Sequence, residues 1–502
     1  MKRLLLALLT LSFAGGVRAQ STENKCWAID YETWNNNGTP QLFINCGNNE
    51  AFNMGEELTM EVWVRAYTFG ENRKMMGKCM YNDPFDNGYI LGFENLHVYA
   101  EYFNPTQQEV PRPGDGPMPA DSSFVHIAST YSAVTGQIKN YVNGVLSGET
   151  TMFPANAIAE NDYPFIIGNA PWDSLSFQFY GDMDEVRVWN TARTAEQLND
   201  NMFTALNGDE EGLVAYYNFN ETTGALVPDA GPNGFDGNLS NHDHISTQWT
   251  ISGAPVADAV MRQHKILGAA WFTNTENYHK ISSDEGFTFI TNIQENEYWK
   301  YAVAGHNELT GVATDFAPDQ DQANFERTSR EWYVKTAGDL RTNIIFNFEN
   351  AAGGETELSQ DGDLENYALL YRESTDEAFV ALAFPVLNFQ GILQFENIDL
   401  NDGYYAVGQS TENFVLMGTE GLEEEYFNSV TVAPNPANDL LSISGLQQGC
   451  NIRLLDIRGN TLQEKKDVDA GTQFNIQNLA CGIYLVAIEI NGYQHFQKII
   501  KK

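Results

Sequence analysis

The residues with the greatest chemical potential in this chain form the run Asp182-Met183-Asp184-Glu185-Val186-Arg187. Asp182 and Asp184 stand two apart, so a strand would turn both carboxylates to one side as a pair of oxygen ligands or acids; the alternative is that they simply form solvated turns. Other constellations are less complete. His242 and His244 flank Asp243 in a loop-like run that suits either a transition metal or plain solvation. Asp361-Gly362-Asp363-Leu364-Glu365 places oxygens at the first, third and fifth positions of a calcium loop, but Asn366 replaces the turn glycine and Arg372 the bidentate glutamate. Trp34 and Trp172, in loop-like contexts, are the candidate ligand-binding residues, since an indole face stacks on a sugar ring; a loop tryptophan also serves as a partly buried staple. The sequence has no HExxH, GxSxG, phosphate-binding loop or catalytic cysteine arrangement.

These residues need a scaffold, and the composition bounds it. The 502 residues leave room for several domains, and 42% hydrophobic content is enough to fold them. With 28 Lys+Arg against 67 Asp+Glu, the net charge of −39 repels a phosphate backbone, so nucleic acid is not an expected partner. Lys2 and Arg3, the apolar run Leu4 to Leu11 and the small-residue signature Val17-Arg18-Ala19 follow the order of a secretory signal peptide, with cleavage expected after Ala19. Removing that leader takes three cations away and brings the charge to −42. No later stretch approaches the roughly 18 apolar residues of a membrane helix, so no transmembrane segment is expected in the mature chain. Cys26, Cys46, Cys79, Cys450 and Cys481 are too few and scattered for a disulfide scaffold; Cys450 and Cys481 are the pair one domain could confine, with buried thiols the alternative.

Nearly every segment after the leader has period two. Leu58 to Ala66 alternates apolar and polar, Ile138 to Val142 does so less cleanly, and Gly, Asn, Asp and Pro bound such runs, which predicts an all-β protein. Asn143-Gly144 suits a type I′ hairpin turn. One helical turn is predicted, where Thr194 and Gln197 form a capping box and Leu198 and Met202 follow at helical spacing. Turn-rich stretches near 227–234 and 252–255 and the acidic run Glu423-Glu424-Glu425 divide the chain. The expected organisation is a signal peptide at 1–19 and β-sandwich domains at 20–255, 256–418 and 426–502.

Two stretches resemble known families. Leu58 to Val64 (LTMEVWV), Phe124 to Ala128, Gly136 to Gly144 (GQIKNYVNG), Phe165 to Gly168, Gly181 to Asn190 (GDMDEVRVWN), Thr194 to Leu198 and Gly212 to Asn220 (GLVAYYNFN) resemble, in order, the laminin-G-like, concanavalin-type jelly rolls of Bacteroidota secreted proteins. Val432-Ala433-Pro434-Asn435-Pro436, Ile452 to Gly459, Leu479 to Val486 and the basic end Lys498 to Lys502 resemble the type A sorting domain of type IX secretion. The fold this implies is a concanavalin-like jelly-roll sandwich followed by two smaller immunoglobulin-like β-sandwich domains, the middle one a spacer or second binding module. The sorting resemblance implies secretion or attachment at the outer-membrane surface, with the type IX machinery as a partner.

The jelly-roll resemblance also implies a calcium ion in many members, with early-loop oxygens that here fall on Asn48, Asn49 and Glu50 beside Asp182 and Asp184. Relatives place Phe-Asp-Gly and an acid where this chain reads Asn45-Cys46-Gly47-Asn48-Asn49, which brings fewer charges to a cation. Laminarinase-type hydrolases on the same fold carry Glu-x-Asp-x-x-Glu, and Arg187 stands here where their acid/base would be. The expected function is an exported, non-catalytic binding or adhesion protein that recognises a polysaccharide, a surface glycan or a protein partner. The alternatives are a divergent glycoside hydrolase or lyase on the same sandwich, or a purely structural adhesin.

Overall fold

A computed structural model describes residues 24–502 apart from 30–41, 69–71, 81–86, 104–115, 118–122, 152–156, 172–176, 222, 241–248, 274–279, 283–284, 316–324, 352–362, 390, 411–413, 415–429, 447–449, 456–460, 469–470, 481 and 491–492. The described chain is built from antiparallel sheets packed in pairs, as the period-two reading predicts.

In the first pair, one sheet runs Val145–Thr151, Gln137–Val142, Val125–Ser132, Glu57–Ala66, Gly181–Trp189, Lys25–Ile29 and Trp249–Ile251, with Leu213–Tyr217 also paired to Gly181–Trp189. The facing sheet runs Leu226–Val227, Gly237–Leu239, Ile44–Asn45, Ile166–Ile167, Arg73–Met80, Asn87–Glu94, His97–Phe103 and Gly116–Pro117. Met60, Val62, Val64, Met183, Val186 and Val188 from the first sheet meet Met76, Leu91, Phe93 and Ala100 from the second. Asn143 (φ 49°) and Gly144 (φ 73°) both take positive φ between Gln137–Val142 and Val145–Thr151, the type I′ geometry the Asn-Gly pair predicts. A Cβ at Gly144 would fall 2.1 Å from Asn199 Oδ1, the movable end of an exposed side chain, so it is the positive φ that favours glycine there. Thr194 caps Ala195–Met202 and Gln197 reaches back to its backbone N–H, completing the expected box.

The second pair faces Lys265–Trp271, Tyr301–His306, Trp332–Ala337, Gly403–Ser410, Phe325–Thr328 and Val312–Ala313, joined by Tyr367–Arg372 and Val380–Ala383, against Lys280–Ser282, Phe287–Thr291, Leu340–Asn347, Ile392–Leu400 and Leu387–Phe389. Trp332, Phe287, Phe346 and Phe395 fill its core. The third pair sets Thr431–Ala433, Leu440–Ser444 and Thr472–Asn475 against Thr461–Val468, Cys450–Leu455, Gly482–Ile490 and Tyr493–Lys501 over Leu441, Ile443, Ile452 and Phe474.

The first two sandwiches share a further apolar cluster. Cys26, Trp63, Phe124, Met202 and Phe203 pack with Trp271, Tyr301, Val303, Tyr333 and Tyr404. The Trp63 and Trp271 rings meet edge to face at 5.8 Å, Trp271 Nε1 donates to Phe124 O at 2.9 Å, and the Tyr301 hydroxyl donates to Val256 O at 3.0 Å. The outward face of one sheet of the first sandwich is therefore an internal layer, covered around Trp63 by a sheet of the second sandwich and elsewhere by the helix Ala195–Met202 and residues 203–206. Among the described residues, the core cluster of the third sandwich takes in no residue of the other two.

Candidate functional site

The acidic run lies on Gly181–Trp189, a strand buried along its whole length. Alternation sends Met183, Val186 and Val188 into the sandwich core and Asp182, Asp184, Arg187 and Trp189 to the outward face. A β-bulge between Asp184 and Arg187 inserts one residue against Glu57–Ala66, and Glu185 takes that place at φ 53°, so two adjacent acids occupy the polar face. That face is the sealed one.

Each group there is held by protein. Asp182 accepts from Arg65 Nη1 at 3.1 Å and from the Tyr67 hydroxyl at 2.7 Å. Asp184 accepts from Asn24 Nδ2 at 3.1 Å, Ser252 Oγ at 2.6 Å and its neighbour's backbone N–H at 2.8 Å. Glu185 accepts from Arg187 Nη2 at 2.5 Å and from the Tyr216 hydroxyl at 2.7 Å, and Arg187 also donates to Asn201 O and Thr204 O at 3.0 and 2.7 Å. Glu61, on the neighbouring strand, accepts from Trp189 Nε1 at 2.6 Å and pairs with His126 Nε2 at 3.0 Å. Burial pushes the carboxyl of Asp184 well above its ordinary range, reinforced by the charge of Glu185. Burial also raises Glu185, against the pull of Arg187. For Glu61 burial is outweighed by the His126 hydrogen bond and by the charges of Arg187 and Arg193, and its carboxyl falls to about 2. Burial lowers His126, opposed by Glu61.

The four residues read as metal ligands are not brought together. Asp182 and Asp184 are committed to the sealed face, whereas Asn48 and Asn49 follow Ile44–Asn45 of the other sheet. There Asn48 Oδ1 accepts from Lys78 Nζ at 2.7 Å and Asn49 caps the turn Glu50–Phe52 through Ala51 N at 3.3 Å. Among the described residues, no three His, Cys, Asp or Glu side chains converge as a metal site. Trp34, Trp172, His242, His244, Asp361 and Gly362 lie outside the described residues.

The other sheet turns its outward face away from the second sandwich. Three ranks cross Arg73–Met80, Asn87–Glu94 and His97–Phe103: Lys74, Gly92 and Tyr99; Gly77, Ile90 and Glu101; Cys79, Gly88 and Phe103. Their alternate neighbours, such as Leu91, Phe93, Val98 and Ala100, point into the core, which fixes these ranks as outward. Lys74 Nζ hydrogen-bonds the Tyr99 hydroxyl and lies 4.3 Å from that ring centroid and 5.5 Å from that of Phe177. Tyr99 donates onward to Asn72 Oδ1 at 2.5 Å. Gly92 lets both side chains lie across the strand: a Cβ there would stand 3.2 Å from the Tyr99 hydroxyl and 3.3 Å from Lys74 Cδ. The sequence reading passed over this face. Its signal was Lys74 within the mostly apolar RKMMGKCM, facing a strand with glycines at 88 and 92.

Comparison with known proteins places these sheets. Residues 37–199 match the model of the Concanavalin A-like lectin/glucanases superfamily, and residues 431–502 match that of the Secretion system C-terminal sorting domain. Comparison with curated protein sequences found no match. Among solved structures, a proposed carbohydrate binding protein of Bacteroides ovatus ATCC 8483 is 22% identical with a TM-score of 0.35, over 47% of this chain and 62% of that one. The chain thus spans less than two thirds of that structure. The CBM40 of Ruminococcus gnavus IT-sialidase bound to alpha2,3 sialyllactose is 12% identical (TM-score 0.26, over 30% of this chain and 84% of that one). The SAP-like pentraxin of Limulus polyphemus is 15% identical (TM-score 0.27, over 36% and 83%). These likenesses are partial and say nothing of a ligand. No helix among the described residues is long and apolar enough to cross a membrane. The chain joins a concanavalin A-like sandwich, through a second sandwich, to a C-terminal sorting domain of type IX secretion, and it is exported to the cell surface or released.

Proposed function

We propose that this exported chain is a carbohydrate-binding protein that holds its glycan on the sheet face carrying Lys74, Tyr99 and Glu101. The observation that carries this reading is the asymmetry of the first sandwich. One outward face packs partly against the second sandwich and its acids are spent on protein partners; the other, outside that contact, sets aromatic rings, an ammonium and a carboxylate over glycines at 1–6% exposure, so a glycan reaches Lys74, Tyr99 and Glu101 only by opening what covers them. Sugar recognition combines ring stacking with a few convergent polar groups, and this face has both. Phe177 abuts Lys74, and Trp172 stands five residues before it in the chain, which keeps Trp172 a candidate stacking platform under this proposal. The match to a superfamily of lectins and glucanases supports a polysaccharide or surface glycan as the ligand class.

The test is binding of the full chain to immobilised polysaccharides and glycans, with calcium and with chelator, while released reducing sugar is followed. We expect retention on one glycan class without sugar release, and a loss of at least tenfold in affinity, about 1.4 kcal/mol or more, in Tyr99→Ala or Glu101→Ala. Unchanged binding in both variants would place the ligand elsewhere. Sugar release abolished by Asp184→Asn would replace the binding reading with a hydrolytic one.

A further inference from the structure

The jelly-roll resemblance implies a calcium ion at the early loop, and the residues there do not fit one. Asn45-Cys46-Gly47-Asn48-Asn49 brings no carboxylate before Glu50, which begins the turn Glu50–Phe52, and the side-chain oxygen of Asn48 is already engaged by an ammonium. We propose that Lys78 is the cation of this loop, a charge tethered to the chain that closes this end of the sandwich in place of a metal ion.

The geometry is that of a staple. Lys78 stands opposite Tyr89, a core residue, in the register of Arg73–Met80 and Asn87–Glu94, and is itself fully buried. Its aliphatic stem follows the end of the core, and only its head reaches the loops. Nζ donates to Asn48 Oδ1 at 2.7 Å and to the backbone carbonyl of Tyr163, bridging the early loop to the 159–165 segment. Backbone bonds bring the same two pieces together: Cys46 N to Phe165 O and Phe165 N to Gly47 O, each at 3.0 Å. Asn161 Nδ2 returns to Lys78 O at 3.2 Å, so the lysine is gripped at both its head and its backbone. The two oxygens that Nζ hydrogen-bonds are neutral, and the nearby carboxylate of Asp162 acts on it only through its charge. A divalent ion gains most of its affinity from carboxylates, whereas a single ammonium is satisfied by an amide and a carbonyl.

The experiment is thermal unfolding of the purified full chain in millimolar calcium and in chelator. The wild type is expected to melt at the same temperature in both. Lys78→Met, which keeps the stem and removes the charge, is expected to melt lower by roughly 3–8 °C in both media. Asn48→Asp, which gives the ammonium a carboxylate partner, is expected to raise the melting temperature without creating calcium dependence, and it serves as the test if Lys78→Met does not fold. Calcium-dependent melting of the wild type, a Lys78→Met chain as stable as the wild type, or calcium-dependent melting of Asn48→Asp would each overturn the proposal.

Discussion

The two outward faces of the first sandwich carry opposite lessons. The face of Glu57–Ala66 and Gly181–Trp189 holds Glu61, Asp182, Asp184, Glu185 and Arg187, the densest set of ionisable groups in the domain, yet every one is buried and bonded to protein. The face of Arg73–Met80, Asn87–Glu94 and His97–Phe103 has fewer charges and more glycine and is turned away from the second sandwich, although Lys74, Tyr99 and Glu101 are buried there as well. Motif-like spacing of acids marks a site only if a cleft opens on it. Where other parts of the chain cover it instead, the same acids become a buried polar layer, bonded within the first sandwich at the cost of desolvation, while Arg65 Nε, His126 Nδ1 and Arg187 Nε are left without a hydrogen-bond partner.

The sharpest way to break this comparison is to remove one charge from the sealed face. Arg187→Met leaves Glu185 buried with only Tyr216 and the bulge to hold it, and should cost about 3–5 kcal/mol in denaturant unfolding of the whole chain. Adding Glu185→Gln should return part of that loss, because the uncompensated charge is gone; a double variant no better than the single would mean that packing, and not charge pairing, holds the seam.

A smaller effect is expected from pH in the second sandwich. His306 is buried beside Arg330, Glu285 and Lys265; burial, then the charge of Arg330, brings it down to about 4 from an ordinary 6.5. The unfolded chain therefore binds a proton that the folded chain refuses between those values. The contribution of neutral His306 is present above pH 6.5 and is lost as the pH falls toward 4, an effect on the order of 2–3 kcal/mol. Melting temperatures at pH 7 and pH 4.5 should fall less in His306→Gln than in the wild type, and an equal fall in the two would assign the acid sensitivity to other groups.

The smallest effect is expected at the seam itself. Trp63→Phe keeps a ring against Trp271 but loses the hydrogen bond from Nε1 to Met202 O at 2.9 Å, and should cost about 1–2 kcal/mol. Its value is in the shape of the transition. If the two sandwiches unfold as one unit, the melt stays single; a split into two transitions would show that the seam is weaker than the cores on either side.

Much of the fold was legible from local pattern. The alternation of Leu58 to Ala66 became the strand Glu57–Ala66, Asn143-Gly144 became the type I′ turn between Gln137–Val142 and Val145–Thr151, and Thr194 with Gln197 became a capping box, because each depends only on residues a few positions apart. The site was less legible. Period two says that Glu61, Trp63 and Arg65 share a face, but solvent and a neighbouring sheet look alike from one strand; only the outward Trp63 hinted that this face meets protein. Likewise Asp182 and Asp184 do share a side, as their spacing predicts, yet their partners Arg65, Tyr67, Asn24 and Ser252 lie from 68 to 160 residues away.

By itself, the sequence determined that this chain is all-β, that it is exported through a terminal sorting domain, and where the Asn143-Gly144 turn and the capped helix Ala195–Met202 fall; these follow from side-chain periodicity, backbone preference and short motifs, all of them local. The tertiary structure alone decided which sheet face is sealed, that Asp182 and Asp184 serve the seam, and that Asn48 meets Lys78 instead of those acids. Those outcomes depend on which distant surfaces meet when apolar area is buried, and strand periodicity carries no information about what lies on the other side.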